Sequence, residues 1–258
     1  ELRVRVLRQL HQALLDDPLY LGWRHPRLEG DQYWDFVEKF VLGVRRNFPE
    51  ALVQWEDFAK HKAFTLLERY RDRVPSFDDD IQGTGAVAAS ALTTAMRIKG
   101  SRMADQRIGI MGMGQAGIGI ATNVLALLRA EGLSETEARS RIYASDTPGL
   151  LFEDTPGLST WQQAFARRWA DVAGWTLESS DRVGLMDVVR NAKLTVLVGV
   201  TAQPGLFSAG VLSTMAAHDL GYLSTDRMLE RLDVMLRSAE SLERFQGHLL
   251  NWYETATR

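Results

Sequence analysis

The 258-residue sequence predicts an α/β protein, a doubly wound parallel sheet with a helix-rich N-terminal segment and a helical C-terminal tail. Three observations carry that reading. Five short apolar runs, ALVQW (51–55), VPSF (74–77), QRIGIMG (106–112), SRIYASD (140–146) and LTVLVGV (194–200), are spaced by helical patterns. Strands alternating with helices imply a parallel sheet covered on both faces. A glycine-rich turn follows the third run directly, and near residues 216–220 the composition shifts to a block dense in Arg and Glu.

Taken in order, Tyr33, Phe36, Val37, Phe40, Val41 and Val44 form the apolar stripe of an amphipathic helix that Pro49 ends. ALVQW is a strand opening onto Glu56 and Asp57, and residues 59–72 return to a helix with Phe64, Leu67 and Tyr70 on one side. VPSF is a second strand, with Pro75 tolerable near its start, and leads into Asp78, Asp79 and Asp80. The uncharged run from Ile81 to Met96, rich in Ala, Gly and Thr, predicts a buried helix whose small side chains permit close packing. Strand 106–112, helix 115–130 and strand 140–146 follow, then helices at 159–169 and 183–192, strand 194–200 and a helix at 208–217. From Ser224 to Tyr253 the pattern Leu229, Leu232, Leu236, Ala239, Leu242, Phe245, Leu249 and Trp252 predicts one long helix. The resulting division is 1–82, a segment carrying acidic motifs; 83–216, a nucleotide-binding type of domain; and 217–258, a tail.

Composition excludes several classes. Thirty basic against 33 acidic residues leave a net charge of −3, so there is no basic footprint for nucleic acid and no basic helix for a membrane surface. The absence of cysteine removes disulfides, thiolate metal sites and cysteine nucleophiles, and suits a reducing compartment. The start, ELRVRVLRQLHQ, lacks the apolar core and cleavage pattern of a signal peptide, which gives a cytoplasmic expectation. The stretch between Arg107 and Arg129 is uncharged and long enough by count to span a bilayer. Its first twelve residues hold five glycines, so it reads as a strand, a glycine loop and a helix. His11, His25, His61, His218 and His248 show no metal-ligand spacing, and the scattered tryptophans read as core.

The glycine turn is Gly112-Met113-Gly114-Gln115-Ala116-Gly117. Its first glycine allows a tight turn, its second lets a pyrophosphate approach the backbone, and its third lets helix and strand pack closely. The strand before it and the helix after it favour a Rossmann-like dinucleotide site over a glycine turn in an unrelated α/β protein. Asp146, ending the next strand, is the candidate ribose-binding acid, 29 residues past Gly117. An acid there favours NAD, since it would repel the 2′-phosphate of NADP. Glu56-Asp57 and Asp78-Asp79-Asp80 each follow a predicted strand, where ligands gather in open α/β sheets. Their oxygens suit Mg²⁺ or Mn²⁺. Spacing alone serves equally well for acids that stabilise helix N-termini.

DPLYLG (17–22), LVQWEDF (52–58), FDDDIQGTGAVAASAL (77–92), MGMGQAGIGIA (111–121), YASDTPGLL (143–151) and TVLVGVTAQPGLF (195–207) resemble, in order and spacing, the malic enzyme family from about Leu14 to Ala216. The resemblance implies that Glu56, Asp57 and Asp80 ligate Mg²⁺ or Mn²⁺ and that Asp79 supports the proton chemistry. It implies that Gly112, Gly114, Gln115, Ala116, Gly117 and Asp146 hold NAD or NADP. The implied reaction is oxidative decarboxylation of malate to pyruvate and CO₂ by a homo-oligomer. The family's upstream catalytic tyrosine and lysine, and its substrate-binding arginine, have no counterpart in the matching stretch, and Tyr20, Lys60 and Lys62 lie outside those motifs. Asp78 stands where the family carries Asn, and the family's L-S-N-P segment is missing. Residues 216–257 instead resemble a stretch of the cyclic β-1,2-glucan synthases, without their glycosyltransferase motifs, which reads as a chimeric chain. The expected function is therefore that of a malic enzyme-like oxidoreductase, with a non-catalytic NAD-binding module as the alternative.

Overall fold

In a computed structural model of the chain, the described residues are 16–21, 28–179 and 182–201, with the backbone of 244–245 and 248–249. Helix α1 (Gly30–Asn47) buries Tyr33, Val37 and Val41 at four-residue steps, and Arg45 and Arg46 suit the negative end of its dipole. Strand β1 (Val53–Trp55), helix α2 (Lys60–Tyr70) and strand β2 (Ser76–Asp78) form a small unit in which the two strands pair in parallel. Trp55 anchors it, buried among the rings of Phe40, Phe58 and Tyr70 at 6.4, 5.9 and 5.7 Å. Glu38 on α1 accepts hydrogen bonds from Tyr70 at 3.0 Å and Arg73 at 2.9 Å, fastening α1 to the end of α2.

After β2 the chain makes a π-helical turn, Asp79–Gly83, and continues as α3 (Thr84–Lys99). The second unit follows, with β3 (Ile108–Met111), α4 (Gln115–Ala130), α5 (Glu135–Ser140), β4 (Ile142–Asp146), β5 (Gly149–Leu150), α6 (Thr160–Gln163), α7 (Leu185–Ala192) and β6 (Val196–Gly199). Its sheet runs β5-β4-β3-β6, with β4 and β6 parallel to β3 on either side and β5 antiparallel at the edge. The pleat divides the core in two. Ile108, Ile110, Ile142, Ala144 and Val196 face α4, while Met111, Leu150 and Leu194 face Val188 and Val189 of α7. Helices thus cover both faces, as the alternation predicts. Because β4 and β6 flank β3 on opposite sides, the carboxyl end of β3 is a topological switch point, where such sheets open a ligand crevice.

Three expectations need correction, and one strand was not predicted. The helix predicted over 159–169 is one turn, α6, because the chain straightens after it to pair Arg167 with Phe152. The edge strand β5 is too short to leave a periodic signal. Helix α3 is close-packed but not buried around its girth: Gly85 and Met96 are buried, while Val87 and Ile98 are 71% and 83% exposed. Its small residues serve one contact, with α4, rather than an all-round core. In the tail, Arg244–Phe245 pairs antiparallel with His248–Leu249, which interrupts the uninterrupted helix predicted from Ser224 to Tyr253. The intervening sequence carries Gly247, a poor helix former. The helix predicted over 208–217 and the rest of the tail lie outside the described residues. Among the described residues no helix is long and apolar enough to cross a membrane.

Candidate active site

The glycine turn lies at the switch point, at the carboxyl end of β3. Gly112 has φ +103°, and a Cβ on it would fall 2.5 Å from the Val200 carbonyl oxygen. A Cβ on Gly117 would overlap the Gly112 carbonyl oxygen, so the third glycine lets α4 start hard against the strand end. A Cβ on Gly114 would meet nothing within 4 Å, leaving open space beside the backbone. No side chain caps the α4 N-terminus and no acid stands in its first turn. Its amide groups and positive dipole end are therefore available to a diphosphate.

The acidic half is built by the β1–β2 pairing. Trp55 is in register with Asp78, so parallel strands deliver Glu56-Asp57 and Asp79-Asp80 to the same edge. Asp57 has φ +62°, and its backbone N–H donates to Asp80 Oδ2 at 2.9 Å. Gln54 Nε2 donates to both Glu56 Oε2 at 3.2 Å and Asp79 Oδ2 at 3.0 Å. Burial pushes the Asp80 carboxyl above the usual aspartate range; the Asp57 amide opposes that shift, and the charges of Asp57 and Asp79 add to it. Asp78 is fully buried; Oδ1 accepts from the Ile81 amide at 3.0 Å, while Oδ2 has no hydrogen-bond partner among the described residues. Among the described residues no three His, Asp or Glu side chains are gathered closely enough to hold a metal. The like charges of Glu56, Asp57 and Asp80 instead find separate N–H donors or solvent.

Backbone contact joins the two halves. A Cβ on Gly119 of α4 would overlap the Ile81 carbonyl oxygen, and one on Gly85 would fall 2.7 Å from the Gly119 carbonyl oxygen. The acidic turn and α3 thus rest directly on the α4 backbone. Two hydrogen bonds tie the loop after β1 to the glycine turn: Gln115 Nε2 to the Phe58 carbonyl at 3.1 Å, and Lys60 Nζ to the Met113 carbonyl at 3.1 Å. The outcome is one cavity of about 910 Å³ lined by Asp57, Asp80, Thr84, Gly114, Gln115 and Ala116, with His61 and Lys62 at its wall. The Lys62 ammonium lies 3.9 Å above the Tyr33 ring.

Asp146 ends β4 beside the turn. Its Oδ1 accepts from the Thr147 amide at 2.9 Å, and its Oδ2 from Gln162 Nε2 at 3.3 Å. The same Gln162 nitrogen donates to the Met113 carbonyl at 3.0 Å, bracing the acid against the glycine turn. Burial lowers the Lys60 ammonium from its ordinary range, with the nearby Asp146 charge opposing.

Of the residues singled out by sequence, Asp57, Asp80, Gly114, Gln115 and Ala116 share the cavity, with Gly112 and Gly117 shaping the turn beneath. Glu56 and Asp79 stand at the same strand edge, linked through Gln54. Sequence reasoning missed Gln54 and Gln162, neutral amides whose roles leave no spacing or charge signature. Lys60 was legible only as a charge near the acidic pair.

Fold and site define an α/β protein of dinucleotide-binding architecture whose glycine turn shares a cavity with carboxylates. The sequence matches the family models described as Malic enzyme, NAD binding domain, over residues 81–220, and Malic enzyme, N-terminal domain, over residues 5–71. The chain belongs to the malic enzyme family. NAD-dependent malic enzymes of Edwardsiella ictaluri (strain 93-146) and Pectobacterium carotovorum subsp. carotovorum (strain PC1) are 50% and 46% identical over 204 residues. Those alignments cover 79% of this chain and 36% of each relative, so the chain spans about a third of their length. The crystal structure of Entamoeba histolytica malic enzyme superposes with a TM-score of 0.53 at 21% identity, covering 73% of this chain and 36% of that one, and shows the same fold.

Proposed function

We propose that the chain is the cofactor- and metal-binding portion of an NAD-dependent malic enzyme, which oxidises malate and decarboxylates the product to pyruvate. The observation that carries this reading is the single cavity in which Asp57 and Asp80 face the glycine turn. The open backbone at Gly114 and the uncapped start of α4 fit the diphosphate of a dinucleotide. Asp146, held by Gln162, would accept the ribose hydroxyls and disfavour a 2′-phosphate, which supports NAD.

Glu56, Asp57 and Asp80 would hold Mg²⁺ or Mn²⁺; their hard oxygen donors suit either ion, and a cation would offset the Asp57 and Asp79 charges that stand near Asp80. When bound, the cation supplies Lewis-acid polarisation of the substrate oxygen. Asp79 would support proton transfer at the strand edge, held through Gln54. A cytoplasmic, homo-oligomeric enzyme goes with this reading. So does a tail of different origin, since both family matches end by residue 220.

A second reading, an NAD-binding module without turnover, is favoured by one observation: Glu56 is turned to Gln54, and no three acids are gathered as ligands among the described residues. Calorimetric titration with NAD, followed by NADH production from malate with and without Mn²⁺, separates the readings. Metal-dependent NADH production lost in Asp80→Ala supports the enzyme, and NAD binding without turnover selects the module. Absence of NAD binding overturns both.

A further inference from the structure

At the opposite end of β3 and β4 from the cofactor turn, a second cavity of about 530 Å³ is lined by Arg102, Arg107, Arg141 and Arg167, against only Asp105 and Glu137. We propose that this cleft binds a compact multivalent oxyanion through its guanidinium groups. The acids nearby are already engaged or outnumbered. Glu137 caps α5, accepting from the Ser134 amide at 2.9 Å and its hydroxyl at 2.6 Å. Arg102 donates to the Glu131 carbonyl at 3.2 Å, and Arg107 Nε to the Lys193 carbonyl at 3.0 Å, contacts that use few of each fork's five donors.

Arg167 is the fixed floor of the site. Its guanidinium lies 3.8 Å from the centre of the Tyr143 ring and donates to the carbonyls of Ser140 and Ile142. Its Nε is buried without a hydrogen-bond partner among the described residues, and burial lowers the guanidinium from its ordinary range. Arg141, just before β4, makes no side-chain hydrogen bond or close ion pair among the described residues, though it lies within electrostatic reach of Glu137. Arg102 Nε pairs with the Glu131 carboxylate at 3.7 Å, while Arg107 and Arg141 form no ion pair within 4 Å among the described residues, and guanidiniums converging on one cleft repel each other. A phosphate- or carboxylate-bearing anion relieves that repulsion and matches the planar forks bidentately. The cleft is not the diphosphate site, because β3 lies between Arg107 and the glycine turn.

The test titrates the 258-residue chain with pyrophosphate and, separately, citrate at fixed ionic strength, before and after saturation with NAD. Binding that persists under saturating NAD and weakens at least tenfold in Arg141→Ala supports the site. The tighter of the two probes assigns phosphate or carboxylate type. Arg107→Ala serves as a second variant, and an unchanged NAD titration confirms that each variant is folded. The proposal is overturned if neither probe binds saturably, if NAD displaces both, or if both variants titrate like the parent.

Discussion

Asp78→Asn offers a direct test of how the acidic turn is balanced. The Asp78 carboxyl is fully buried, and burial first, then the charges of Asp80 and Asp79, push it up to about 6 from an ordinary 3.8. The folded state therefore binds this proton more tightly than the unfolded state does. Stability is lost as pH rises from about 4 to about 6 and stays lost above, the reverse of an aspartate in a salt bridge. A gap of about two units corresponds to roughly 3 kcal/mol at full weight. Asparagine keeps the oxygen that accepts from the Ile81 amide and removes the charge, while its new amide group costs about 1 kcal/mol if left unpaired. The variant is expected to be about 1–2 kcal/mol more stable than the parent at pH 7, and no more stable at pH 4. Urea unfolding between those pH values, with EDTA present so that no cation screens the neighbouring acids, measures the difference. A variant less stable at pH 7, or a difference that does not change with pH, would refute the reasoning.

Two other substitutions probe how the site is held together. In Gly119→Ala the added Cβ overlaps the Ile81 carbonyl oxygen, so the acidic turn must retreat from α4. Overpacking of this kind costs about 1–3 kcal/mol, and on the proposed enzyme reading a displacement near 1 Å costs roughly 10²-fold in turnover. An unchanged melting temperature and unchanged kcat/KM would show that the contact is slack. In Gln162→Ala, Asp146 loses a donor and the Met113 carbonyl loses one of its two side-chain donors among the described residues, keeping Lys60. NAD affinity is expected to fall about tenfold by calorimetry, the loss of roughly one charge-assisted hydrogen bond's positioning. Equal affinities would mean that Asp146 needs no brace.

The backbone of this fold was largely legible, because its signals are local. Four of the five apolar runs contain a strand and the fifth, 74–77, overlaps one that ends at Asp78, and the helix over 115–130 begins and ends where the glycine turn and the apolar pattern place it. Legibility failed where a residue's partner lies far along the chain. Nothing near Gln162 announces Met113 and Asp146, 49 and 16 residues away, and the helix predicted around it stops after one turn. The acidic residues show both sides of this limit. Their position after two strands is a sequence property, but their meeting depends on the parallel register of Trp55 with Asp78. Where their side chains go depends on hydrogen bonds that spacing does not announce: Gln54 donates to both Glu56 and Asp79, and the Asp57 amide donates to Asp80.

The glycines explain why two small units behave as one site. Gly85 and Gly119 both lie inside helices, where glycine costs roughly 1 kcal/mol against alanine. Neither has a positive φ, so neither is needed for a turn. Their only structural return is the close approach of α3 and the acidic turn to the α4 backbone, in the helix that the cofactor turn begins. Among the described residues the β1–β2 pair and the main sheet share no strand pairing, so this contact, with the Gln115 and Lys60 hydrogen bonds, the Phe64–Trp161 stack and the shared apolar core, sets the separation between the carboxylates and the glycine turn. Local conformational cost accepted at two helical positions is thus the sequence's mark of a long-range constraint, one that reads as simple helix propensity until the structure shows what lies against each glycine.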